Sequence, residues 1–130
     1  MLLTELRAQF PFGILLVTDD TSTEPIPKWS SDEQQVNLAR SAMAIKIRHE
    51  ADGAAMVRVW DGDQKVPDAR DVATVFLKTP SRILRISSAA GETFIRVDVP
   101  TDEVRVRILA SAARDTDEVH LVISPGSDGN

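Results

Sequence analysis

The chain contains no cysteine and no tyrosine. The first absence removes disulfides, thiolate metal sites and thiol nucleophiles. The second leaves histidine, aspartate, glutamate and lysine as the available general acids and bases. Histidine is scarce too, at two residues in 130, His49 and His120. The apolar run Ile14 to Val17 falls far short of the roughly 20 residues that cross a bilayer. There is no G-x-x-x-x-G-K-[ST], no G-x-G-x-x-G and no H-E-x-x-H, so phosphate loops and zincin chemistry are excluded. Gly126-Ser127-Asp128-Gly129 does not have nucleophile-elbow spacing. No basic-then-apolar leader follows Met1, from which a cytoplasmic location is expected.

Acids are in excess. Twenty Asp and Glu against 15 Lys and Arg give a net charge of −5. That sign opposes nucleic-acid binding, which needs phosphate neutralisation, and suits a partner protein with a basic surface. The length fits one domain, expected over residues 1–124, with 125–130 a flexible tail.

Most of the sequence alternates with period two. Ala42 to Glu50 places Met43, Ile45, Ile47 and His49 on one face, and Ala55 to Trp60 alternates Val57 and Val59 with Met56, Arg58 and Trp60. Glu50-Ala51-Asp52-Gly53-Ala54 between them reads as a hairpin turn. Further strands are expected at Asp71–Lys78, Arg82–Ser87, Thr93–Val99, Val104–Leu109 and around Val119–Ile123, with Pro80 separating the first two. Leu2–Phe10 favours strand over helix. One segment departs from alternation: Ser30 and Glu33 have capping-box spacing, which predicts a short helix over Ser31–Arg40. Short strands joined by Gly, Pro and Asp turns predict a mainly β fold, an antiparallel two-sheet β-sandwich with one short α-helix. Phe10, Phe12, Trp29, Trp60, Phe76 and Phe94 are the candidate large core or rim residues.

The histidines stand apart: His49 is expected at the sheet rim and His120 facing solvent. The loop Asp61-Gly62-Asp63-Gln64-Lys65-Val66-Pro67-Asp68-Ala69-Arg70-Asp71 is acid-rich but fails the calcium-loop frame, since Lys65 stands where the third acid belongs. No metal and no cofactor is expected. Cations favour strands (Arg58, Arg85, Arg96, Arg105, Arg107) and are expected to pair cross-strand with Glu92, Asp98 or Glu103. Without a catalytic set, the best reading is a non-catalytic protein-binding module. The alternatives are a small-molecule or carbohydrate-binding sandwich with Trp29 or Trp60 as a stacking platform, and a small carboxylate-based enzyme. For the first reading the expected contact is Trp60 as apolar anchor beside Asp61, Asp63, Asp68 and Asp71, joined by Asp19 and Asp20.

The order of features also resembles a known family. Gln9-Phe10 leads into a strand ending at Asp19-Asp20, followed by the loop Thr23-Glu24-Pro25-Ile26-Pro27-Lys28. Trp29-Ser30-Ser31-Asp32-Glu33 then precedes the Ala-rich strand Ser41-Ala42-Met43-Ala44-Ile45. Over about Leu6 to Ala110 this pattern is similar to the competence protein J family, inhibitors of the DNA-entry nuclease of naturally transformable bacteria. The resemblance implies a nuclease inhibitor or immunity-type protein with a nuclease as partner; it carries no residue role to this chain.

Overall fold

A computed structural model describes residues 1–62, 66, 68–91 and 93–126. Ten strands run in chain order: β1 Leu2–Ala8, β2 Ile14–Asp19, β3 Val36–Leu38, β4 Ala42–Lys46, β5 Ala55–Asp61, β6 Arg70–Lys78, β7 Ile83–Ser88, β8 Phe94–Asp98, β9 Glu103–Ala110 and β10 Glu118–Pro125. They form two five-stranded sheets, ordered β1-β5-β10-β9-β6 and β3-β4-β2-β7-β8. Every neighbouring pair is antiparallel except β5 with β10, which run parallel, Val119 beside Val57 and Leu121 beside Val59. The fold is therefore the expected mainly β, two-sheet sandwich.

Period-two patterning explains the core. Leu15 and Val17 of β2, Met43 and Ile45 of β4, Val57 and Val59 of β5, Val104, Val106 and Ile108 of β9, and Val119, Leu121 and Ile123 of β10 point inward and are buried together. Burying one such side chain contributes about 1.5–3 kcal/mol. The core is aliphatic: of the six aromatic candidates only Phe10 lies in it. Phe12, Phe76 and Phe94 are exposed, and both tryptophans are half-buried.

Two local expectations are corrected. Among the described residues there is no α-helix; Pro11–Gly13 and Glu50–Asp52 are single 3-10 turns. Within Ser31–Arg40, Asp32 and Glu33 lie in a lone turn, and the Gln34 side chain, not Glu33, accepts from Ser30 (N at 2.7 Å, Oγ at 2.8 Å). The chain then becomes β3, because Val36–Leu38 gains a ladder on β4 and buries Asn37, whose amide donates to the Pro27 carbonyl. Tertiary pairing overrides the capping-box signal.

The expected β4–β5 hairpin is also absent. β4 and β5 belong to different sheets. Gly53, at φ 119° and ψ −172°, has the wrong conformation for a two-residue hairpin turn and carries the chain across from one sheet to the other. The alternating pattern marks both strands but is silent about which sheet receives each.

The end of the chain is tied further than expected. β10 runs to Pro125, and the Gly126 amide donates to the Glu103 carbonyl at 2.8 Å. The rest of the expected tail, 127–130, lies outside the described residues. Among the described residues no helix is long and apolar enough to cross a membrane.

Candidate functional site

The residues singled out from sequence do not gather at one place. Asp61 ends β5, beside Ile123 of β10, which in turn faces Val106 of β9 and, across it, Val75 of β6. Asp71 begins β6 at the level of Leu109, His120 and Arg58. On the outer side of these strands Leu109 and Val122 are buried although they face away from the core. Asp61 pairs with the Met1 amine at 3.1 Å and Asp71 with Arg107 Nε at 2.9 Å. Asp68 is exposed in the left-handed region, φ 62°. Asp63 lies outside the described residues.

Asp19 and Asp20 sit elsewhere, at the end of β2. Asp19 is buried and receives the amides of Thr21 (3.0 Å) and Ser81 (3.1 Å) together with both hydroxyls. Burial by itself would raise its pKa. The four donors from Thr21 and Ser81 outweigh that, and its carboxyl is held below the ordinary range. Asp20 pairs with Arg96 at 2.9 Å.

His120 corrects an expectation. It lies on the outer face of β10 but is 4% exposed. Its Nδ1 accepts from Trp60 Nε1 at 3.0 Å, and its Nε2 lies 2.7 Å from Glu118 Oε1. The same Glu118 oxygen accepts from Arg58 Nη1 at 2.6 Å, and Arg58 Nε donates to Glu5 at 3.1 Å. Because Nδ1 is an acceptor, the ring proton sits on Nε2 and the imidazole is neutral. Burial, aided by the Arg58 charge, holds its pKa below 6.5 despite Glu118 pulling the other way. This chain of partners links β1, β5 and β10. It leaves Trp60 half-buried against His120, with ring centroids 6.1 Å apart.

His49 is exposed at the rim, as expected, and its Nδ1 accepts from Ala51 at 3.0 Å to cap the Glu50–Asp52 turn. Among the described residues no group of three or more His, Asp and Glu could hold a metal. The strand cations do pair across strands, with other acids than expected: Arg58 with Glu5 and Glu118, Arg107 with Asp71, while Glu103 takes Lys78. Glu92 lies outside the described residues.

A cleft of about 700 Å³ is bordered by the Pro11–Gly13 turn, the 32–35 loop, Lys46, His49, Arg70 and the β9–β10 connection at Ala113–Asp115. Neither tryptophan lines it. Of its carboxylates, Asp32, Glu33 and Asp115 are exposed. Asp19 and Glu24, whose carboxyls are both held low, lie away from the cleft. On the lip stands Phe12, 78% exposed, with φ 61° and ψ 6°. Sequence reading passed over it as a candidate contact. Its signal was Pro11-Phe12-Gly13, a proline-led turn with an aromatic residue where glycine is normal.

This architecture is that of an all-β, two-sheet sandwich presenting a charged cleft at one end. No protein-family model and no curated protein sequence matches the chain. Its structure is similar to the crystal structure of ComJ, inhibitor of the DNA degrading activity of NucA, from Bacillus subtilis. The TM-score is 0.76 over 95% of this chain and 96% of that chain, at 13% sequence identity. At that identity the likeness establishes the shared fold, and it is the fold of the family that the Trp29–Glu33 stretch resembles.

Proposed function

We propose that this chain is a non-catalytic protein-binding module that inhibits a DNA-degrading nuclease. The observation that carries the reading is the likeness in fold to a nuclease inhibitor over nearly the whole of both chains. Charge supports it. A nuclease needs a cationic groove to hold DNA phosphates, and a chain of net charge −5 is drawn to such a groove. In this reading Asp61, Asp68, Asp71 and Asp20 supply the field that steers the encounter with a basic partner, because solvated charges change association rate more than affinity. A cytoplasmic site of action belongs to the same proposal. The test is a titration of the purified protein into digestions of double-stranded DNA by NucA of Bacillus subtilis and by the nuclease of its own cell. Saturable loss of cleavage with at least one of them is expected. Undiminished digestion by both, at large molar excess, defeats the reading.

A further inference from the structure

We propose that the Pro11–Gly13 turn is the docking element of this protein, with Phe12 entering an apolar pocket on a folded basic protein and the carboxylates around it meeting the pocket's cationic rim. The proposal rests on the reading as a protein-binding module and adds the surface and the chemistry of the partner.

Phe12 carries two penalties that folding does not explain. Its ring is 78% exposed, and its backbone is in the left-handed region, which bulky residues avoid. Glycine at this position would remove both. Asp68 and Asp115 share the conformation but belong to a residue type that tolerates it, and Arg82, at φ 59°, is a charged residue closing the 79–82 turn through its amide on the Thr79 carbonyl at 2.8 Å, so Phe12 is the one apolar side chain among the described residues held this way. Strain of this kind persists only where the surroundings fix it, and it gathers at recognition sites.

The surroundings do fix it. The Gly13 amide donates to Phe10 at 3.0 Å, Ile47 donates to the Gly13 carbonyl at 3.0 Å, and Glu50 donates to the Phe10 carbonyl at 3.0 Å. Phe10 beneath is fully buried. Gly13, at φ 65°, lies so close to β4's continuation that a Cβ would fall 2.9 Å from the Ile47 carbonyl oxygen. Phe12 is therefore held ready, and a preorganised aromatic anchor loses little freedom on binding.

The rim decides the partner. Asp32, Glu33 and Asp115 line the cleft with Phe12, and Glu50 and Asp52 stand on the turn bonded to Phe10. Among the described residues none of these acids is in an ion pair. The cleft itself is balanced, three carboxylates against Lys46, Arg70 and Arg114, with Lys46 committed to the Asp32 carbonyl at 2.8 Å and the Trp29 ring at 4.8 Å; Glu50 and Asp52 beside the Phe12 turn, on a chain of net charge −5, tip the surroundings of the ring to acid. A like-charged second copy is repelled by this rim. The other exposed phenylalanines differ: Phe94 is sandwiched by Arg85 and Arg96 at 4.4 and 4.8 Å, and Phe76 lies on a regular strand.

The experiment compares Phe12→Gly with Phe76→Ala. For Phe12→Gly, a melting temperature no lower than wild type is expected, together with nuclease inhibition weakened by about tenfold or more, as for a central aromatic anchor. Phe76→Ala should inhibit like wild type. A clear fall in melting temperature for Phe12→Gly makes the ring a support of the fold and overturns the proposal. Unchanged inhibition overturns it as well and leaves the nuclease reading intact. If wild type inhibits no nuclease, photo-crosslinking in cells decides, with Phe12 or, as control, Phe76 replaced by benzoylphenylalanine. An adduct formed only from position 12 with a basic protein lacking nuclease activity sustains the docking element and sinks the nuclease reading. No adduct specific to position 12, or one with a second copy of this chain, overturns the docking element.

Discussion

Asp19 holds three segments together: the end of β2, Thr21 and the 79–82 turn through Ser81. Asp19→Ala would remove the buried acceptor of four donors on Thr21 and Ser81, and a hydrogen bond to a charged group contributes about 1.5–3 kcal/mol. A loss of about 2–3 kcal/mol in urea unfolding is expected. Because its carboxyl is held low, its contribution is present above the ordinary value of 3.8 and disappears as pH falls through the lower folded value. His120 acts in a different window with the same direction. Its folded pKa is depressed, so the unfolded chain takes up the proton first as pH drops below 6.5, and stability falls from there. Thermal melts from pH 8 to 5 should decline for wild type. His120→Gln should be less stable at pH 8, since Glu118 and Trp60 lose a shaped partner, yet flatter across the histidine window. A wild-type melting temperature that holds constant between pH 7 and 5.5 would contradict the assignment of a neutral, buried His120.

At the scale of elements, the Pro11–Gly13 turn is a joint between β1, β2 and the 47–50 segment that follows β4. Gly13→Ala is expected to destabilise by roughly 2 kcal/mol, combining left-handed strain with backbone crowding against Ile47. It should also blunt nuclease inhibition by tilting Phe12, whereas Gly62→Ala, with no atom within 4 Å of the added Cβ, tests left-handed strain alone, at φ 78°. Equal melting temperatures for the two variants would show that the close approach to Ile47 is unimportant. The β9–β10 connection is secured differently. Buried Thr116 accepts from Ser111 at 3.0 Å and donates to the Glu118 carbonyl at 2.7 Å, a side-chain clasp on Ala113–Asp115 at the cleft's edge.

The whole molecule is acidic, with a net charge of −5. If the field of Asp61, Asp68 and Asp71 steers the partner, replacing all three by Asn should slow association at low ionic strength. Wild type and variant should then converge as salt screens the field beyond a Debye length of about 8 Å. Stability should change little, because exposed pairs such as Asp71–Arg107 contribute about 0–1 kcal/mol. Stopped-flow association over a salt series checks this. An on-rate that is the same for both proteins at low salt would reduce the 61–71 segment to a connection between strands.

Alternation by itself determined that the segments expected at Thr93–Val99, Val104–Leu109 and around Val119–Ile123 are strands, because a side-chain period of two admits one buried face and no other regular structure. The breaks at Pro80 and near Gly91 were local as well, and fell where the chain turns. What a partner strand supplies was out of reach: Val36–Leu38 is a strand only because β4 offers it a ladder, and β4 and β5 separate only because two sheets must share one core. The burial of His120 goes with its bond to Trp60, far away in the chain, which only the pairing of β10 with β5 brings beside it. The resemblance around Trp29 pointed to a fold that the tertiary structure shares. Phe12 stayed hidden for a physical reason: exposure and a left-handed backbone angle are properties of the folded chain, and only there does a Pro-Phe-Gly turn stand out as strained and presented to solvent.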